Sequence, residues 1–224
     1  MKITWIGQGG LLFETNNVKI IVDPYLSNSC AKINPASNRR VPVEERFLKM
    51  KPDVLVLTHD HLDHTDEETL IHYLGEKGNV LVLASQTAWN HVRKYNNGHN
   101  FVMFNRHTQW SYGDIRFTAV KAEHSDDYAI GVIIESEGKK YYVTGDTLYN
   151  TEIFNDVPAD TDVIFLPING KGNNFNMDDA SRFAEKIGAK KVVPVHFGLF
   201  DDLNPYDFNC KNKVILKMYE EIEL

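Results

Sequence analysis

Thr58-His59-Asp60-His61-Leu62-Asp63-His64 places three imidazoles and two carboxylates within seven consecutive positions. Neutral imidazole is the commonest protein ligand for a transition metal, and carboxylate is a second good donor. The run follows the apolar stretch 53–57 and precedes a helical pattern, so it stands where a buried strand ends and the chain bends. His59 and His61 are two apart in extended backbone and project to the same side, which lets both bind one cation. Asp63 and His64 lie past the bend and can face a second cation beside the first. A solvated surface turn is the alternative, and so dense a set of histidines at the end of a buried strand fits it poorly.

Three isolated residues share that placement. His124 follows the strand pattern 115–122, Asp146 follows Thr144-Gly145 at the end of another, and His196 closes the apolar run 192–195. Each alone reads more readily as a structural residue than as a ligand. Their common position at strand C-terminal ends, together with the anchor motif, turns the reading toward a second set of donors.

The elements that must position these side chains follow from periodicity. A β-meander over 2–6, 11–15 and 18–22 has turns at Gly7, Gly9 and Gly10 and at Asn16-Asn17. The stretch 24–43 lacks a pattern and reads as a mobile loop of functional length. A short helix over 43–50 precedes the 53–57 strand, and Thr65 is expected to cap the next helix, with Asp66, Glu67 and Glu68 in its first turn. Strands are expected at 80–83, 101–104, 115–122, 129–135 and 140–144, with a helix near 87–95. The last third reads as strand 163–167, helix 177–187 stopped by Gly188, strand 192–195 and an ending of open type. Strands in both halves with helices between them favour two sheets covered by helices.

Composition narrows the class. The 224 residues carry 24 Lys+Arg against 31 Asp+Glu, a net charge of −7, which gives no general attraction for phosphate backbones. Nucleic acid is therefore not an expected partner. No signal-peptide pattern and no apolar run of membrane-spanning length is visible, and Cys30 and Cys210 stand far apart as free thiols. A cytoplasmic protein folded as one domain over 1–224 is the expectation.

The series HxHxDH (His59 to His64), His124, Asp146, His196, with the Gly-rich opening hairpin and Asp23-Pro24, resembles the metallo-β-lactamase superfamily over nearly the whole chain. That resemblance implies an α/β fold, a four-layer αββα sandwich of two pseudo-equivalent halves with metals at one edge between the sheets. It also implies two divalent cations, zinc, manganese or iron: His59, His61 and His124 on one, Asp63, His64 and His196 on the other, with Asp146 bridging. Asp23 would orient a ligand histidine, and its alternative role is a turn cap before Pro24. Within the superfamily, Trp5-Ile6-Gly7-Gln8-Gly9-Gly10, Leu166-Pro167-Ile168-Asn169-Gly170 and Pro194-Val195-His196-Phe197-Gly198 look most like the L-ascorbate-6-phosphate lactonase-like branch.

The chemistry expected of such a centre is hydrolysis by a metal-bound hydroxide, with Asp63 or Asp146 passing the proton to the leaving group. No GxSxG or SxxK run offers a covalent nucleophile. A small cytosolic ester, lactone or phosphoester, possibly anionic, is the expected substrate, and Asn169 and Lys171, with Asn173 and Asn174, are expected near it. Arg39, Arg40, Trp89, Trp110 and Phe200 read first as surface or core residues and second as its rim. The alternatives are a phosphodiesterase or nuclease-type RNA-processing enzyme, a diiron redox module and a metal-binding protein without turnover. The first would want a basic arm and the second an additional acidic ligand.

Overall fold

The computed structural model describes residues 1–15 and 17–224, so the Asn16 half of the expected Asn16-Asn17 turn lies outside the described residues. The first half of the chain opens with antiparallel β1 (Lys2–Gly7), β2 (Gly10–Glu14) and β3 (Lys19–Val22). It then switches to parallel β4 (Val54–Leu57), β5 (Leu81–Ala84) and β6 (Asn100–Met103). The second half repeats that plan: antiparallel β7 (Gln109–Tyr112), β8 (Ile115–Lys121), β9 (Ile130–Ser136) and β10 (Lys139–Val143), then parallel β11 (Val163–Pro167) and β12 (Lys191–Val195). A last short strand, β13 (Glu221–Glu223), returns to pair with β1, giving sheets ordered β13-β1-β2-β3-β4-β5-β6 and β12-β11-β10-β9-β8-β7.

Alternation within each strand decides which layer a residue fills. Val54 and Val56 of β4 face the other sheet, while Leu55 and Leu57 face outward onto helices α3 (Glu67–Leu74) and α4 (Gln86–Val92). A strand covered on both faces must be apolar throughout, which is why this segment reads as an unbroken hydrophobic run. Phe13, Phe117, Ile134 and Phe165 meet in the inter-sheet core. On the far side, α5 (Met177–Ile187) buries Ala180, Phe183, Ala184 and Ile187. Helices outside two facing sheets make the four layers expected from sequence.

Several local expectations are corrected. Helix α3 is capped by Asp66, whose side chain accepts from Thr69 N, while the Thr65 hydroxyl donates instead to the His59 carbonyl. The 24–43 stretch contains helix α1 (Ser29–Ile33) and a 3₁₀ turn at Pro35–Ser37, capped by the Asn34 side chain. Only four residues of the 43–50 segment are helical, as α2 (Glu45–Leu48). Strand β7 and the C-terminal β13 lie on segments without a strand pattern. Gly188 closes α5 as expected, at φ 73° in the left-handed region. Among the described residues no helix is long and apolar enough to cross a membrane.

Candidate metal centre

Both sheets deliver their strand ends to one edge. Asp23 follows β3, Thr58 and His59 follow β4, His124 follows β8, Asp146 follows β10 and His196 follows β12. The carboxyl ends of strands in α/β sheets are the usual place for a site, because the connecting loops there are free to carry chemistry. All seven residues expected as ligands converge at this edge.

Two clusters form. Donor atoms of His59, His61 and His124 lie within 4.8 Å of one another, and so do those of Asp63, His64 and His196. The Asp146 carboxylate sits against the second cluster, with Oδ1 3.4 Å from His64 Nε2 and Oδ2 3.3 Å from His196 Nε2. Donor atoms of Asp23, His59 and His64 are equally close, but Asp23 is engaged on the outer side of His64 and by the Thr58 hydroxyl that backs His59.

The hydrogen bonds behind the rings fix which nitrogen faces inward. The Thr58 hydroxyl donates to Asp23 Oδ2 at 2.5 Å, so toward His59 Nδ1, 3.0 Å away, it can only accept. His59 therefore carries its proton on Nδ1 and presents a lone pair at Nε2. Asp23 Oδ2 also accepts from His64 Nδ1 at 2.9 Å, so that ring turns Nε2 inward. His124 Nδ1 donates to the Asn173 carbonyl at 3.2 Å, leaving Nε2 toward His61 Nδ1 at 3.0 Å. The Ser125 hydroxyl, 3.4 Å from His61 Nε2, gives that ring an outer partner. Asn169 lies 3.1 Å from His196 Nδ1, and an amide turned with Oδ1 toward the ring satisfies an oxygen that otherwise has no partner. An imidazole oriented by an acceptor on its outer nitrogen is what a metal ligand needs.

The inward side then crowds ring nitrogens and carboxylates together without satisfying them all. His59 Nε2 is buried without a hydrogen-bond partner, and His64 Nε2 faces His196 Nε2 at 3.3 Å. Burial, with His64 nearby, holds the His59 imidazole well below its ordinary value, so its lone pair is free at neutral pH. Burial alone would also neutralise His64 and His196. Asp146 and Asp63, with Asp23 for His64, outweigh it, raising His64 well above its ordinary value and His196 to about 10. Asp63 and Asp146 are displaced the other way: burial would protonate them, and the His64 and His196 charges hold both well below the carboxylate range. Without an ion, Asp63 and Asp146 hold the His64 and His196 rings protonated, and a cation between these four groups would take the place of those protons, beside the free lone pair of His59.

The sequence missed three supports. Gln8, in the β1–β2 turn, donates Nε2 to Asp63 Oδ2 at 2.9 Å. Thr58 reads from sequence only as a polar strand end, yet its hydroxyl links His59 to Asp23. Asn174, expected beside substrate, is 4% exposed and donates to Asp146 Oδ2 at 2.9 Å. A cavity of about 500 Å³ opens onto the clusters, lined by Asp63, Asp146, Asn169, Lys171, Cys30 and Phe200 among others. Of the other expected rim residues, Arg39 is spent on the Tyr25 carbonyl and Tyr219 hydroxyl, Trp89 and Trp110 belong to α4 and β7, and Arg40 borders a separate cavity.

Two facing mixed sheets flanked by helices, with His and Asp donors gathered at their strand ends, define a metal-site sandwich. The chain belongs to the β-lactamase superfamily: residues 18–197 match the family model described as "Beta-lactamase superfamily domain". It is 31% identical, over 251 aligned positions covering 100% of both chains, to a protein of Staphylococcus aureus (strain bovine RF122 / ET3-1) named a UPF0173 metal-dependent hydrolase. Among solved structures it is similar to Igni18, a metallo hydrolase from the archaeon Ignicoccus hospitalis KIN4/I, with TM-score 0.76 and 22% identity over 99% of this chain and 97% of that one. It is also similar to CmlA, a diiron β-hydroxylase from Streptomyces venezuelae, with TM-score 0.74 and 16% identity over 100% of this chain and 54% of that one. These two likenesses establish the fold, and hydrolase or oxygenase chemistry has to be argued from the site.

Proposed function

We propose that this protein is a metal-dependent hydrolase that holds two divalent cations and cleaves a small ester, lactone or phosphoester in the cytoplasm, with the whole chain working as one domain. The observation that carries the reading is the buried, unpartnered Nε2 of His59, aimed at the lone pairs of His61 and His124. His59, His61 and His124 would hold one cation and Asp63, His64 and His196 the other, with Asp146 between them. Zinc, manganese and iron all suit this all-His/Asp donor set. Bound there, such cations supply Lewis acidity toward water and toward a substrate carbonyl or phosphoryl oxygen.

The chain's own groups do the rest. Asp63 Oδ2 takes the Gln8 amide, and Oδ1 accepts no hydrogen bond among the described residues. Held ionised, Asp63 can take a proton on Oδ1 and return it to a leaving group, and it lines the cavity. Asp146 is also ionised, but Asn174 and two imidazoles occupy its carboxylate, which suits holding a cation better than moving protons. Lys171 is the one Lys or Arg lining the cavity among the described residues, and it would attract a substrate anion, with Asn169 beside it. This suits a small, possibly anionic substrate of the lactonase-like kind, and the chain's net charge of −7 disfavours nucleic acid.

Elemental analysis of protein purified without chelator should find about two transition metals per chain, and fewer in His59→Ala, by the ligand count argued above. A wild type without metal would sink the reading. A panel of lactones, phosphodiesters, thioesters and single-stranded RNA, assayed with Mn²⁺ and Zn²⁺, would then select among substrates.

A further inference from the structure

One four-residue turn reaches all three residues of the Asp63/His64/His196 cluster, two through their side chains and His196 through its backbone. In Gly7-Gln8-Gly9-Gly10, the Gln8 side chain is 2% exposed and its Nε2 holds Asp63 Oδ2 at 2.9 Å. The Gln8 carbonyl accepts from the His196 backbone N at 2.9 Å and from Trp5 Nε1 at 2.8 Å. Gly9 packs so tightly on the next donor that a Cβ there would stand 2.7 Å from His64 Cε1. Among the described residues, no hydrogen bond from this turn reaches His59, His61 or His124.

We propose that Gln8 is the positioning residue of the Asp63/His64/His196 half of the centre and sets that half's affinity for its cation without affecting the other half. The proposal rests on the metal-dependent reading above. Asp63 is the most exposed donor of the three, with its side chain 21% exposed, so it has the most freedom to swing away. A neutral amide removes that freedom by binding one carboxylate oxygen and leaving the other open. A lysine in its place would compete with the cation for Asp63, and a carboxylate would repel Asp63. The backbone points the same way: Gln8 sits at φ 47°, a left-handed conformation that Gln adopts less readily than Asn or Gly. A side chain kept at such a position is over-determined by its surroundings, and here those surroundings are the cluster.

The test titrates chelator-stripped full-length protein with Co²⁺ against a competing chromophoric chelator, in two backgrounds that each retain one cluster. His124→Ala leaves Asp63/His64/His196, and His196→Ala leaves His59/His61/His124. Adding Gln8→Met, which keeps length and removes the donor, should weaken Co²⁺ about 10- to 100-fold in the first background and leave the second unchanged. Gln8→Asn keeps the amide and suits the backbone but falls a methylene short, and it should behave like Gln8→Met. Equal weakening in both backgrounds would mark a general structural role and overturn the proposal. Unchanged affinity in the first background would overturn it equally. Failure of the otherwise unaltered protein to bind Co²⁺ would instead strike the metal-dependent reading itself.

Discussion

Gly9→Ala tests whether the ring positions matter as argued. Gly9 is not at positive φ, so its backbone accepts alanine and the consequence lies in the added methyl. That methyl would sit 2.7 Å from His64 Cε1 and 3.1 Å from Nδ1, whereas ordinary contact begins near 3.4 Å. The ring must therefore retreat by about 0.7 Å, the difference of those two distances. His64 is fully buried, with its Nδ1 tied to Asp23 at 2.9 Å, so no open space receives it. Overpacking of this kind costs roughly 1–3 kcal/mol in stability. A displacement approaching 1 Å in a catalytic group costs on the order of 100-fold in rate. Gly9→Ala should therefore melt lower and hold a cation at the Asp63/His64/His196 cluster about 10- to 100-fold more weakly, read by thermal melting and by competitive metal titration. Gly78→Ala is the control, because its methyl would meet His99 Cε1 at 2.7 Å, an equal clash with a histidine outside the centre. It should lose stability while keeping metal affinity. Wild-type metal affinity in Gly9→Ala would refute this packing effect.

Asp23→Asn should lower stability by roughly 1–3 kcal/mol in thermal melts, because one acceptor oxygen facing the Thr58 hydroxyl and His64 Nδ1 becomes a donor or both bonds rearrange. Lys171→Ala should raise KM for an anionic substrate several-fold with little change in kcat, and an unchanged KM would remove Lys171 from the binding site. Away from the centre, Asp156 accepts from Arg106 Nε and from Lys121 N, and although burial alone would raise it, these partners hold it down at about 2. Its folded-state pKa lies below the unfolded value, so its contribution is complete above about pH 4 and vanishes as pH falls through about 2. Asp156→Asn should melt below wild type at pH 7, and the gap should close between about pH 4 and 2.

The donors were legible in sequence because each leaves a local mark. The HxHxDH run is dense, and His124, Asp146 and His196 each end an apolar segment long enough to read as a strand. Their supports leave none. Gln8 is one polar residue among glycines, and Thr58 and Asn174 look like any polar strand end or turn until the fold turns them inward. The same limit explains the missed elements. Strand β7 presents Trp110 to solvent and, among the described residues, pairs only along β8, β13 is a three-residue Glu-Ile-Glu, and α1 is too short to show a helical period. The shift of the α3 cap from Thr65 to Asp66 is decided by tertiary contact, since the Thr65 hydroxyl is taken by the His59 carbonyl.

Each cluster draws from both sheets: His59 and His61 from the end of β4 with His124 from β8, and Asp63 and His64 from the β4 side with His196 from β12. A cation in either cluster therefore works as a rivet through the sandwich, and its binding free energy becomes part of what keeps the two leaves from sliding apart. Shelf life and heat tolerance would then track free metal in the surroundings, through mass action on the folded state alone. A cell short of metal would lose this protein by unfolding and turnover as well as by idleness, so its abundance would itself report metal supply.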